Sequence, residues 1–176
     1  MTRTWKQGLI AAILGIIALA TPTTLTYVLT GVSNVPFYFV LRWFWGFLIE
    51  IYLVVGSTFM GIGGLKSQGY IAISILPLVL GIILGIACII LLVLAILSKK
   101  DTIPSIATKV IFIIFGVVFI LLPWIEFLVE NLNMIPVLIQ AGLPPEVTGS
   151  PMIPIPIGSI LFLVAGIFAI IGGAKA

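Results

Sequence analysis

The sequence predicts an all-α membrane protein in which a four-transmembrane-helix bundle carries a small extracellular cap. Hydrophobic residues make up 62% of the 176 positions, and only 7% of the positions are charged. An average soluble domain carries charge on about a quarter of its residues. The few charges also stand between long uncharged stretches. A water-soluble globule could not cover its surface in this way, so we interpret residues 1–176 as one integral membrane domain.

Four stretches are long and apolar enough to cross about 30 Å of hydrocarbon. The third is apolar until Pro123 and Glu126, and the last follows a proline-rich stretch, residues 151–156, that should be irregular. The predicted spans are residues 8–28, 71–97, 110–129 and 157–173. Two outer segments, residues 29–70 and 130–156, connect them.

Residues 36–56 decide between four spans and five, because this segment is apolar but contains Arg42 and Glu50. With four spans, six of the eight basic residues lie on the side of both termini. With five, Arg42 lies within a span and the other seven divide three against four. Basic residues concentrate on the cytoplasmic side of membrane proteins. We therefore expect four spans in the plasma membrane, with the N- and C-termini cytoplasmic.

The structure of the cap stays open at the level of sequence. Residues 36–56 are rich in Phe, Tyr, Trp, Ile and Val, which favour strands. Two strands around Gly46, one long bent strand and a membrane-embedded helix all fit this composition. Arg42 and Glu50 share a face in a strand and lie about 80° apart in a helix, so their spacing does not decide.

The layout resembles that of the tetraspan superfamily that contains claudins and peripheral myelin proteins. Residues 43–48, Trp-Phe-Trp-Gly-Phe-Leu, resemble the W-x-x-G-L-W signature of claudin-like proteins, and the glycines of the last span resemble those of claudin fourth spans. The cysteine pair that follows the claudin signature is absent, since Cys88 lies in the second span. The resemblance implies a small antiparallel sheet in the first outer segment, lateral association and extracellular contacts.

Residues around this motif are the candidate interaction surface. Aromatic side chains dominate binding hot spots, but they also form belts at membrane interfaces. The two opposite charges could bind a partner, lipid head group or ion, but mutual neutralisation in an apolar hairpin is the favoured explanation. The candidates are Arg42, Trp43, Trp45, Gly46, Phe47 and Glu50.

Small residues and one acid stand out within the spans. Gly81, Gly85, Gly158 and Gly166 are candidates for close helix packing, within the bundle or between copies. Glu126 is a candidate intramembrane acid that could bind a cation, although it could also lie at head-group depth.

The composition also bears on activity. The chain has no His and one Cys, which excludes His-based catalysis and a multi-ligand His/Cys metal site. We expect no catalytic, cofactor-binding or metal-binding residues, and no basic stripe suits nucleic acid. The expected partners are the lipid bilayer and a second copy or another membrane protein. The predicted function is lateral assembly, adhesion or membrane organisation. The alternatives are an accessory subunit of a transporter or respiratory-type complex, or a small channel.

Overall fold

The computed structural model describes residues 4–28, 37–45, 48–53, 75–100, 102–140 and 152–175. This part of the chain forms four helices and four strands. The helices are α1 (Thr4–Ala20), α2 (Ile75–Lys99), α3 (Ser105–Gln140) and α4 (Ile157–Ala174). The strands are β1 (Thr24–Val28), β2 (Phe37–Arg42), β3 (Leu48–Leu53) and β4 (Met152–Ile155). Helices α2, α3 and α4 are long and apolar enough to cross a membrane, and α1 is a shorter apolar helix. The protein is therefore an integral membrane protein.

The helices pack as a ring in which α1 contacts α2 and α4, and α3 contacts the same two helices. Small and aromatic side chains fill the interior, where Ala11, Phe112 and Phe162 are fully buried. The outward faces carry isoleucines, and Ile86 and Ile114 are each more than half exposed. A helical surface this apolar is suited to contact with lipid.

Gly116 and Gly166 bring α3 and α4 into backbone contact. A Cβ atom added to Gly166 would lie 2.6 Å from the carbonyl oxygen of Gly116, and one on Gly116 would lie 2.8 Å from that of Gly166. Neither position has room for a larger residue unless the helices separate. Small residues of this kind are typical of interfaces between membrane helices. Gly166, a predicted packing residue, thus lies at a contact within the chain.

The two ends of the bundle differ in chemistry. At one end, Lys99 of α2 lies over the ring of Trp5 in α1, and Gly173 of α4 packs against the backbone of Lys109 in α3. We call this the lysine end; its basic residues are Lys6, Lys99, Lys100, Lys109 and Lys175. The first and last described residues both lie there. The strands lie at the opposite end, which we call the sheet end.

The strands form one antiparallel sheet with the order β3-β2-β1-β4. Strands β2 and β3 are a hairpin around residues 43–47, with Arg42 paired to Leu48 and Val40 paired to Glu50. Strand β1 pairs with β2 and also with β4, which comes from the far end of the sequence. The β-rich alternative for the cap is the one observed, in the form of two strands around Gly46.

Helix α1 ends earlier than the predicted span, residues 8–28. The helix stops at Ala20, and residues 24–28 are strand. Pro22 explains the end, because it supplies no backbone N–H and disfavours helix at the residue before it. The next residues, Thr23 to Val28, are mostly β-branched and favour a strand.

Helix α3 extends further than the predicted span, residues 110–129. It begins at Ser105 and continues through Pro123 to Gln140, so part of the expected second outer segment is helical. Residues 152–155 of the proline-rich stretch are a strand, and α4 begins at Ile157 as expected. Helix α2 begins at Ile75 in the described chain. Other parts of the two outer segments lie outside the described residues, including 29–36, 54–74 and 141–151.

Candidate interaction site at the sheet end

The hairpin β2–β3 is tied to the end of α1 by two indole groups. Trp43 Nε1–H donates a hydrogen bond to the carbonyl oxygen of Ala20 at 3.1 Å, and Trp45 Nε1–H donates to that of Leu19 at 2.9 Å. Thr21 donates to the carbonyl groups of the two residues before Leu19. Its backbone N–H donates to the carbonyl oxygen of Ile17 and its hydroxyl donates to that of Ala18, each at 3.0 Å.

These four bonds satisfy the last four carbonyl groups of α1. Such groups have no partner inside a helix, and leaving them bare is costly wherever water is scarce. The two tryptophan hydrogen bonds therefore join segments that are far apart in the sequence. The hairpin is held on the bundle by the same bonds that complete the helix.

Phe44, between the two tryptophans, inserts its side chain between the helices at the sheet end of the bundle. Its side chain is fully buried and meets Phe162 of α4 edge-to-face, with ring centroids 5.2 Å apart. Gly81 and Gly158 leave room for Phe44: a Cβ on Gly81 would lie 2.6 Å from the carbonyl oxygen of Phe44, and one on Gly158 would lie 3.2 Å from Cε2 of the Phe44 ring. Gly85, by contrast, leaves ordinary van der Waals room beneath Trp45.

The face of the sheet that points into the protein is polar. Thr24 and Thr26 of β1 and Arg42 of β2 alternate onto this face, and all three are buried. Thr23, just before the strand, is also buried, and its N–H donates to the carbonyl oxygen of Arg42 at 2.6 Å. Polar side chains are thus enclosed where a soluble sheet would place apolar ones.

Glu126 belongs to the same buried layer. It lies one turn beyond Pro123 on α3, and the Pro123 carbonyl oxygen accepts a hydrogen bond from the buried Ser159 hydroxyl at 3.3 Å. Ser159 in turn follows Gly158, which contacts Thr23. Glu126 is 0% exposed and lies about 26 Å along α3 from Lys109, at 1.5 Å per residue. The buried side chains of Arg42 and Glu126 therefore both belong to the polar layer at the sheet end.

The opposite face of the sheet is apolar and open. The register aligns Leu25 with Leu41 and with Ile155, and aligns Tyr27 with Ile153. Ile153 and Ile155 are 49% and 42% exposed, and the other three are half-buried. We call these five residues the apolar sheet face. A sheet that faces water carries polar side chains on its outer face, whereas this outer face is apolar. The apolar sheet face is therefore suited to contact with a nonpolar neighbour.

The predicted interaction residues fall in different environments. Arg42 is buried, while Trp43 and Trp45 contact α1, so all three have roles within the chain. Glu50 lies in β3 opposite Val40, and Gly46 and Phe47 lie outside the described residues. Binding of a partner by this set stays a prediction.

Sequence reasoning missed the strands that carry most of the apolar sheet face. Residues 24–28, Thr-Leu-Thr-Tyr-Val, alternate polar and apolar side chains with the period of a strand. Ile153 and Ile155 flank Pro154 with the same period. Both signals were present, but one was hidden in an apparent span and the other in a proline-rich stretch.

Comparison with known proteins adds no family to this description. No protein-family model matches the sequence, and no curated protein matches it. Within the described residues, no group of three or more His, Cys, Asp or Glu side chains is placed to hold a metal ion.

Proposed function

We propose that this protein is a non-enzymatic, four-span integral membrane protein that assembles laterally with copies of itself in the plasma membrane. The observation that carries the proposal is the apolar sheet face, which leaves Ile153 and Ile155 exposed. Burial of such a surface against a neighbouring protein is favourable by about 25 cal/mol per Å². Adhesion or membrane organisation would follow from this association.

The face of the sheet is a better candidate contact than its β4 edge. The edge strand β4 has four residues and carries Pro154, which cannot donate to an added strand. A short edge with proline is protected against edge-to-edge pairing. The face, in contrast, carries no charge at its five positions. Two copies could therefore stack face to face around a twofold axis without repulsion between like charges.

The packing of the bundle supports assembly over transport through a single chain. Phe112, Phe119 and Phe162 fill the interior and are fully buried. The buried polar residues of the described chain lie toward the two ends: Thr4 and Thr108 at the lysine end, and the Thr, Arg, Glu and Ser layer at the sheet end. A water-filled path needs polar groups along its length, which this packing does not provide.

Oligomeric mass in mild detergent tests the proposal. We expect a homo-oligomer that becomes monomeric when Ile153 and Ile155 are both replaced by Lys. The matched control is Ile106→Lys, because Ile106 is 75% exposed near the lysine end. The control should stay oligomeric, and circular dichroism should be unchanged in both variants.

Two results would contradict self-assembly through the apolar sheet face. A monomeric wild-type protein that co-purifies stoichiometrically with a larger membrane complex would favour the accessory-subunit alternative. An oligomer unaffected by Ile153→Lys/Ile155→Lys would assign the apolar sheet face to contact with lipid. These variants are preferable to Trp43→Ala/Trp45→Ala, because both tryptophans also complete α1.

A further inference from the structure

A crevice lies between α1 and α2 at the lysine end of the bundle. Its volume is about 300 Å³, and its lining residues are Trp5, Leu9, Ala95, Ile96, Lys99 and Lys100. It is remote from the apolar sheet face, which occupies the other end of the molecule. Its lining combines an apolar floor with a cationic rim.

The floor and wall of the crevice are nonpolar. Ala95 is buried, Leu9 and Trp5 are half-buried, and Ile96 is 47% exposed on the outward side of α2. The crevice is therefore continuous with the lipid-facing surface of the bundle. A purely hydrophilic ligand would leave this floor in contact with water, whereas an acyl chain would cover it.

The rim is positively charged. Lys99 Nζ lies 5.0 Å from the ring centroid of Trp5, and Lys6 Nζ lies 5.7 Å from the same centroid. Lys100 completes the lining. The N-terminus of α1 adds the positive end of a helix dipole. The described residues at this end include no acidic side chain, and Asp101 lies outside the described part of the chain.

We propose that this crevice binds an anionic phospholipid, with the phosphate at Lys99 and Lys100 and the first carbons of an acyl chain over Leu9 and Ile96. Trp5 holds the Lys99 ammonium at the rim through its ring face. Trp and Lys are typical residues at the membrane surface, and basic pockets between helices on the cytoplasmic side suit anionic head groups. The inference rests on the four-span part of the proposed function, because α1 and α2 must reach the same membrane surface.

Lipid binding to the full-length protein in mild detergent tests the site. The probes are phosphatidylglycerol, phosphatidylcholine with the same acyl chains, and inorganic phosphate. We expect only phosphatidylglycerol to raise the unfolding temperature saturably and to remain bound in native mass spectra. Lys99→Gln should weaken its binding about fivefold, given the usual contribution of one lysine near an anionic surface.

Two matched variants separate the crevice from general positive charge. Lys109→Gln and Lys175→Gln remove the same charge at the same end but outside the lining, and they should bind as the wild type does. Trp5→Leu should weaken binding with the charge unchanged. If Trp5→Leu does not fold, Lys99→Gln alone decides, since its side chain is exposed.

Several outcomes would overturn the site. Equal stabilisation by inorganic phosphate would make it a free-anion site, and equal stabilisation by phosphatidylcholine would remove the role of the lysines. A loss as large in Lys109→Gln as in Lys99→Gln would reduce the effect to surface charge. Because binding is measured in detergent, these failures are distinct from a failure of the four-span arrangement, which labelling in membranes tests.

Discussion

Two glycines one helical turn apart on α2 illustrate how sharply single atoms constrain the sheet end. A Cβ on Gly81 would meet the Phe44 carbonyl oxygen at 2.6 Å, whereas a Cβ on Gly85 would meet only flexible side-chain atoms of Trp45 and Leu19, at 3.6 and 3.8 Å. Backbone oxygen cannot move out of the way as a side chain can. The same substitution should therefore have opposite effects at the two positions.

We expect Gly81→Ala to lower the free energy of unfolding by about 1–3 kcal/mol, the usual cost of forcing an extra carbon into a packed site. Gly85→Ala should leave it unchanged or raise it by up to about 1 kcal/mol, because Ala favours helix over Gly. Reversible unfolding in mixed detergent micelles measures both. Equal destabilisation of the two variants would contradict the contact between α2 and the hairpin.

At the scale of elements, the end of α1 depends on residues far along the chain. The carbonyl groups of Leu19 and Ala20 receive their hydrogen bonds from Trp45 and Trp43. A helix of 17 residues rises about 25 Å, a little less than the thickness of the hydrocarbon core. In the proposed four-span arrangement, its last turn lies at a depth where unsatisfied carbonyl groups are poorly hydrated.

Trp45→Phe keeps the aromatic ring but removes the N–H, so it tests the capping role of the indole directly. We expect the free energy of unfolding to fall by about 1 kcal/mol, the usual net contribution of one hydrogen bond. Amide hydrogen exchange in the last turn of α1 should become faster. Trp124→Phe is the control, because Trp124 contacts Phe127 within α3. Unchanged exchange in Trp45→Phe would argue against the capping role.

Sequence patterns predicted the elements unevenly, for physical reasons. The length of the uncharged stretches was enough to locate the long helices. The strand-favouring composition of residues 36–56 was enough to suggest the hairpin around Gly46. Hydrophobicity alone could not separate the end of α1 from β1, because both are apolar on average. Pro22 and the alternation after it carried that information. The pairing of β1 with β4 is a contact between distant segments, which no local pattern encodes.

The sequence singled out the tryptophan motif and Glu126, but it did not predict the apolar sheet face, whose residues come from segments that were assigned to a span and to an irregular stretch. The motif around Trp43 and Trp45 was predicted as an interaction surface, which stays a prediction, and the donation of both indoles to α1 depends on the three-dimensional path of the hairpin. Glu126 was noticed as a charge in an apolar span. Its place in a buried layer with Arg42 required the packing of α3 against α4 and the sheet.

At the scale of the whole molecule, the bundle has a basic end and a sheet end. This arrangement supports the proposal that all four helices cross the membrane with the lysine end in the cytoplasm. Cys88 is buried in α2, so replacing it by Ala gives a background for labelling with single cysteines. Lys6, Thr102 and Lys175 all lie toward the lysine end. Ile157 is exposed at the sheet end and lies outside the apolar sheet face.

In sealed, oriented vesicles, we expect Lys6→Cys, Thr102→Cys and Lys175→Cys to react with a membrane-impermeant maleimide from the cytoplasmic face only. Ile157→Cys should react from the opposite face only. The buried Cys88 in the wild-type protein serves as the unreactive control. Labelling of Lys6→Cys and Lys175→Cys from different faces would overturn the four-span arrangement.

The pairing of β1 with β4 also sets an order on biosynthesis. Strand β1 leaves the ribosome early, but its second partner, β4, is translated only after α2 and α3. Until then, the edge of β1 that receives β4 lacks its native strand, and Ile153 and Ile155 do not yet exist on the nascent chain. A copy interrupted during translation thus lacks part of the surface proposed for association. Completion of the polypeptide itself would act as a checkpoint that keeps unfinished copies out of the assembly.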